Sequence, residues 1–121
     1  MDLSDLQRRL RTFADERDWN QFHTPKNLAM ALTAEAGELL EIFQWLTPEE
    51  ARDVMRDART AESVRHELAD VLAYLVRLAD VLEVDLLSAL SDKIEVNEVK
   101  YPVELARGRA LKHDRLHEKN T

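Results

Sequence analysis

Residues 67–82 read Glu-Leu-Ala-Asp-Val-Leu-Ala-Tyr-Leu-Val-Arg-Leu-Ala-Asp-Val-Leu, and this stretch decides the fold. From Val71 to Leu82 only Tyr74, Arg77 and Asp80 interrupt the apolar residues. A helix apolar around most of its circumference has to be covered on most sides. At the head of the same stretch, Glu67 and Asp70 stand three residues apart, and Glu35 and Glu38 repeat that spacing upstream. An i, i+3 pair lies about 5–6 Å apart on one helix edge. Taking about 100° per residue, Glu35 falls inside the stripe formed by Leu28, Leu32, Leu39 and Ile42. Glu38 and Glu67 lie at stripe edges, with Asp70 just beyond. Four acids converging beside a core repel one another and lose hydration, which a cation or protonation relieves.

A divalent metal is the simplest relief. Glu-x-x-Glu alone is an ordinary solvated helix face, but two acidic pairs set in the apolar stripes of two long helices are not. An all-oxygen donor set suits Mg²⁺, with Mn²⁺ as a substitute, over Zn²⁺. A di-iron bundle would require Glu-x-x-His on paired helices. His66 adjoins Glu67 instead of following it by three, and is expected to point away.

The 121 residues are expected to form one domain, 1–121, with about 103–121 a basic C-terminal tail. Two glycines, three prolines and abundant Ala, Leu, Glu and Arg favour an all-α, four-helix-bundle-like fold. The chain has no cysteine, which removes disulfides, zinc fingers and thiol nucleophiles. No apolar run approaches a membrane span and no signal-peptide pattern opens the chain, so the expectation is a cytoplasmic protein. A net charge of −7 argues against a nucleic-acid polymer as partner. It leaves a nucleotide open, since divalent ions at the acidic site would invert the local charge. The tail's Arg107, Arg109, Lys112, Arg115 and Lys119 read most simply as a solvated, frayed end.

Ser4 with Gln7 predicts a capping box opening a helix over about 5–18. Thr24-Pro25 opens a second over about 25–46, and Thr47-Pro48 a short one to about 58. Thr60 is expected to cap a helix over about 61–82, and Asp85 one ending at Tyr101-Pro102. A bundle this small has little to cover the outer face of 71–82, so a second subunit is expected. Gly37, costly inside a helix, is expected to admit a close neighbouring helix.

Two further constellations stay open on the residues alone. Lys93, Asn97 and Tyr101 form a polar ladder on the face of Leu86 and Leu90. Lys93 there meets a phosphate, or else snorkels at the bundle end. Trp19, Phe22, His23, Trp45 and Tyr74 supply aromatics near the acids. Trp45 shares a helix edge with Asn27 and Glu38, and Tyr74 follows Glu67 by seven. They sandwich a base, or else they are core aromatics.

Taken together, these segments resemble the MazG-like all-α nucleoside triphosphate pyrophosphatases, and within them the dCTP pyrophosphatase branch. The resemblance rests on residues 16–23, 25–28, 35–39, 43–45, 67–75 and 93–103, and extends to Arg107-Gly108 and Lys112. It implies hydrolysis of dCTP or a modified dCTP between the α and β phosphorus atoms, giving monophosphate and pyrophosphate, and nucleotide-pool sanitation. It implies Mg²⁺ on Glu35, Glu38, Glu67 and Asp70. Trp19, His23, Trp45 and Tyr74 would line the base and sugar pocket, and Lys93, Asn97 and Tyr101 would lie near the phosphates. A homo-oligomer follows, at least a dimer and by resemblance a tetramer.

The chemistry agrees with that picture: metal ions neutralise developing charge, and a carboxylate orients or deprotonates the attacking water. Glu35 is the first choice for that role, beside Glu38. The chain departs from the pattern at Leu10, where animal members offer a pocket histidine, and at His113, where tyrosine is frequent. Leu10 leaves room for a broader pyrophosphatase that accepts dUTP or damaged pyrimidines. A rival of another class is a non-catalytic helical oligomer that binds a nucleotide or a protein partner.

Overall fold

A computed structural model describes residues 1–116 as helices joined by short loops, with no strand among the described residues. Two compact units divide at Val84 and Asp85. The first holds α1 (Leu3–Glu16), α2 (Pro25–Phe43), α3 (Pro48–Arg52), a 3₁₀ turn (Val54–Arg56) and α4 (Ala58–Val81). The second holds α5 (Leu86–Lys100) and two single-turn helices, α6 (Val103–Ala106) and α7 (His113–Leu116). No helix among the described residues is long and apolar enough to cross a membrane.

In the first unit the main packing is α2 against α4, with α1 laid on α4. Ala14, Leu28, Val64, Val76 and Ala79 are its buried apolar residues. Leu28 is 1% exposed, so truncating it to Ala would cost about 2–5 kcal/mol. Leu72, Leu75 and Leu82 of the expected apolar circumference, and Leu68 just before it, remain exposed in the single chain. In the second unit α5 leaves Leu87, Leu90, Ile94, Val96 and Val99 exposed, while Leu116 of α7 is buried.

The helix starts correct several expectations. Asp2, not Ser4, caps α1: its side chain accepts from Asp5 N–H while the Asp5 carboxylate accepts from Asp2 N–H. Two reciprocal charge-assisted bonds at the dipole's positive end outcompete a serine hydroxyl. Gln7 is thereby free to reach Asp80, 2.9 Å away. Asp57 caps α4 three residues before the expected start, because a carboxylate accepting from both Arg59 and Thr60 N–H outcompetes the Thr60 hydroxyl. Thr24-Pro25, Thr47-Pro48 and Asp85 cap as expected. Helix α2 closes at Phe43, three residues early, and places Trp45 beyond its end. A Cβ on Gly37 would meet nothing within 4 Å, so among the described residues no other helix approaches there. The segment expected as a frayed tail carries α6 and α7; Lys119 lies outside the described residues.

Candidate metal centre and aromatic loop

Glu35 and Glu38 stand one turn apart on α2, and Glu67 faces them from α4. One carboxylate oxygen from each lies within 4.8 Å of the others. The α2–α4 contact thus converts two unrelated pieces of sequence into a single acidic cluster. Glu35 Oε2 and Glu67 Oε2 are buried and accept no hydrogen bond. Buried acceptors are almost always paired, so two orphans side by side mark a place for a cation. The donors are all carboxylate oxygen, which fits a hard divalent ion.

Asp70 stands outside that close group of three. Its charge is felt at Glu35, while its own Oδ2 faces Nε2 of His66 at 3.5 Å, one turn back on α4. His66 is largely exposed, and its only carboxylate partner among the described residues is Asp70. Burial first, then the hydrogen bonds that only a protonated Glu35 can offer to Glu38 and Glu67, then the charges of Glu38 and Asp70, raise the Glu35 carboxyl from 4.5 to about 7. Near neutral pH the metal-free cluster therefore holds a proton where a cation would sit.

The aromatic loop is set by the end of α1. Trp19 N–H donates to Ala14 C=O (2.9 Å) and Asp18 N–H to Asp15 C=O (3.2 Å), with Asp18 at φ 52°. This is the Schellman arrangement, which brings the residue after the left-handed position back onto the last turn. Trp19 accordingly packs edge-on against Phe13, ring centroids 5.6 Å apart. It also meets His23 edge-on at 6.0 Å. The loop thus brings Trp19 and His23 together.

A polar network behind the loop was not foreseen from sequence. Arg77, 8% exposed, donates from Nε to His23 Nδ1 (3.1 Å), from Nη2 to Asn20 Oδ1 (2.5 Å) and from Nη1 to Asp80 Oδ2 (3.2 Å). Asp80 also accepts from Gln7 and twice from Arg11. Burial, and then the Arg77 charge, push the His23 pKa below the ordinary 6.5. The available signal was a charged i, i+3 pair, Arg77 and Asp80, inside an otherwise apolar run.

Trp45 is 86% exposed, which ends the core-aromatic reading for this residue. Tyr74 is half-buried on α4. Neither is in ring contact with another aromatic among the described residues. In the second unit, Lys93 is exposed, Asn97 half-buried and Tyr101 is the C-cap of α5, its N–H donating to Asn97 C=O at 2.8 Å. The Tyr101 ring lies edge-on to His113 at 6.2 Å. A groove of about 820 Å³ between α1 and α4 is lined by Leu6, Leu10, Phe13, Leu72 and Val76, among others, and by none of the four acids.

Comparison with known proteins places these features in a wider set. The model of the MazG-like family matches residues 30–116. The chain is 46% identical over 114 residues to dCTP pyrophosphatase 1 of Bos taurus, covering 94% of this chain and 68% of that protein. Against dCTP pyrophosphatase 1 of Homo sapiens the identity is 45%, with 94% and 67% covered. A crystal structure of a pyrophosphatase from Archaeoglobus fulgidus superposes with a TM-score of 0.77 at 46% identity, covering 82% of this chain and 91% of that one.

Proposed function

The chain belongs to the MazG-like family, and from that premise we propose that it is a Mg²⁺-dependent pyrophosphohydrolase acting on dCTP or a modified dCTP. The products are the deoxynucleoside monophosphate and pyrophosphate. The observation that carries this reading is the trio Glu35, Glu38 and Glu67 with its two orphaned buried oxygens. The identity to two dCTP pyrophosphatases supports the choice of substrate. The reading takes 1–121 as one functional domain, in a cytoplasmic protein that sanitises the nucleotide pool.

Glu35, Glu38, Glu67 and Asp70 would hold the metal, with Mn²⁺ as a substitute. When bound, the cation neutralises charge on phosphate oxygens and makes a water more acidic. Glu35 is the carboxylate proposed to orient or deprotonate the attacking water, with Glu38 one turn away beside it. Trp19, Trp45 and Tyr74 offer faces for a base, and His23 an edge donor. Lys93, Asn97 and Tyr101 are assigned to the triphosphate on the strength of the resemblance. The exposed leucines of α4 and the apolar side chains of α5 support a homo-oligomer, a tetramer by analogy.

The test is product identity across a nucleotide panel with Mg²⁺. Pyrophosphate from dCTP is expected, with orders of magnitude lost in Glu38→Gln and Asp70→Asn. Orthophosphate as first product, or no release from any nucleotide, overturns the reading. A broader enzyme is favoured by one observation: apolar Leu10 lines the α1–α4 groove where the family's animal members offer histidine. Comparable kcat/KM on dUTP and dCTP would establish it.

A further inference from the structure

We propose that Arg77 is a positioning residue that holds the His23 imidazole in its Nε2–H tautomer, so that a nucleobase meets a fixed hydrogen-bond donor. The inference rests on the reading of His23 as part of the base pocket, but its first half stands on geometry alone. A neutral imidazole has one nitrogen that donates and one that accepts. A guanidinium has donors only. With Arg77 Nε–H aimed at His23 Nδ1 across 3.1 Å, that nitrogen must carry the lone pair and the ring proton must sit on Nε2. No partner among the described residues takes Nε2, and this atom is not sealed from solvent.

Arg77 can do this because it is itself immobilised. Its other two nitrogens are spent on Asn20 and Asp80, and Asp80 is anchored in turn by Gln7 and the fork of Arg11. The same cation, together with burial, disfavours a second proton on the ring, so His23 stays neutral near pH 7. The loop end of this network is tied too, since Asn20 donates to Asp15 at 2.5 Å. Six side chains thus lead to one imidazole orientation and one proton position.

For a pyrimidine edge the consequence is asymmetric. Cytosine presents only acceptors at O2 and N3, whereas uracil and thymine carry a hydrogen on N3. Opposite N3, a fixed N–H donor finds a lone pair in the first and a second donor in the others. A histidine free to exchange tautomers would serve both, so the locked ring is a specificity device for a 4-aminopyrimidine.

The test has two readouts. Two-bond ¹⁵N–¹H spectra of the imidazoles in the intact protein are expected to show His23 protonated at Nε2. Arg77→Met should give mixed tautomers and reduce the dCTP-over-dUTP ratio of kcat/KM by about tenfold or more, while Arg77→Lys, which keeps a donor, retains part of it. A wild-type His23 protonated at Nδ1 overturns the proposal, whether or not Arg77→Met folds. So does an unchanged base ratio in folded Arg77→Met. Absence of turnover on every nucleotide would remove the enzyme reading instead, and the imidazole spectrum, recorded without substrate, still decides whether Arg77 sets the tautomer.

Discussion

Arg11 on α1 grips Asp80 on α4 with both edges of its guanidinium, Nε to Oδ2 at 2.9 Å and Nη2 to Oδ1 at 2.6 Å. Parallel bonds of this kind are the strong form of an ion pair. Arg11 is half exposed, but the Asp80 side chain is not, and behind it lies Arg77. Asp80→Ala would leave Arg77 buried without its anion, so a loss of about 3 kcal/mol is expected in urea unfolding at pH 7. Arg11, ahead of Arg77 and Gln7, holds the Asp80 carboxyl below the ordinary 3.8. A depressed pKa means that the stabilisation is present above the ordinary value and is lost as pH falls through the folded one. The deficit of Asp80→Ala should therefore shrink only well below pH 4. A deficit unchanged by strong acid would contradict the clamp.

Glu35 predicts the opposite slope. Its folded pKa, about 7, lies above the ordinary 4.5, so between those values the folded chain binds more protons than the unfolded chain. Stability of the metal-free protein should fall as pH rises from about 4.5 to about 7. Glu35→Gln should flatten that fall. Mg²⁺ must displace the proton, so its stabilising shift in a thermal melt should grow across the same window. Identical melts in EDTA and in Mg²⁺, with nucleotide present, would remove the metal site.

Trp45 lies beyond the end of α2 with 86% of its surface exposed. Trp45→Ala should leave stability within about 0.5 kcal/mol. If a base stacks there, KM should rise by the equivalent of about 1–3 kcal/mol. A large drop in melting temperature with KM unchanged in the folded fraction would end the stacking role.

Helix α4 closes as α1 does, with Val84 N–H on Ala79 C=O and Glu83 at φ 56°. Glutamate has no local compensation for a left-handed backbone, and glycine is at ease there. Glu83→Gly should stabilise the fold by about 0.5–1 kcal/mol, read from the denaturant midpoint, despite the looser unfolded chain.

The apolar residues left open on α4 and α5 predict an assembly. Light scattering at micromolar concentration should return a multiple of 14.0 kDa. A single-chain mass would refute it.

The acidic cluster was legible because its information is local: i, i+3 spacing and an apolar stripe survive without knowledge of the partner helix. Asp70 lies outside the close group of three, with Oδ2 3.5 Å from His66 Nε2 one turn away, a local approach that spacing alone did not reveal. Helix starts were legible to within a few residues, since several cap-competent side chains compete and the winner is settled by reciprocal bonds such as Asp2 with Asp5. The α6 and α7 turns left no periodic trace. Arg77 could be seen as an interruption but not read, because its partners His23 and Asn20 lie 54 and 57 residues away. Pairing at that distance is a property of the packed chain alone.

The two tryptophans of the chain inhabit unlike surroundings, and this gives the protein an intrinsic optical reporter. Trp45 stands in water, where iodide can collide with it freely. Trp19 is half as exposed, at 43%, and lies edge-on to the Phe13 and His23 rings. Their emission can be separated by selective quenching, with Trp45 silenced first. A nucleotide that stacks on Trp45 would shield it from the quencher, and one that settles only at the loop would dim the remaining signal, so unlabelled protein can report which ring receives the base.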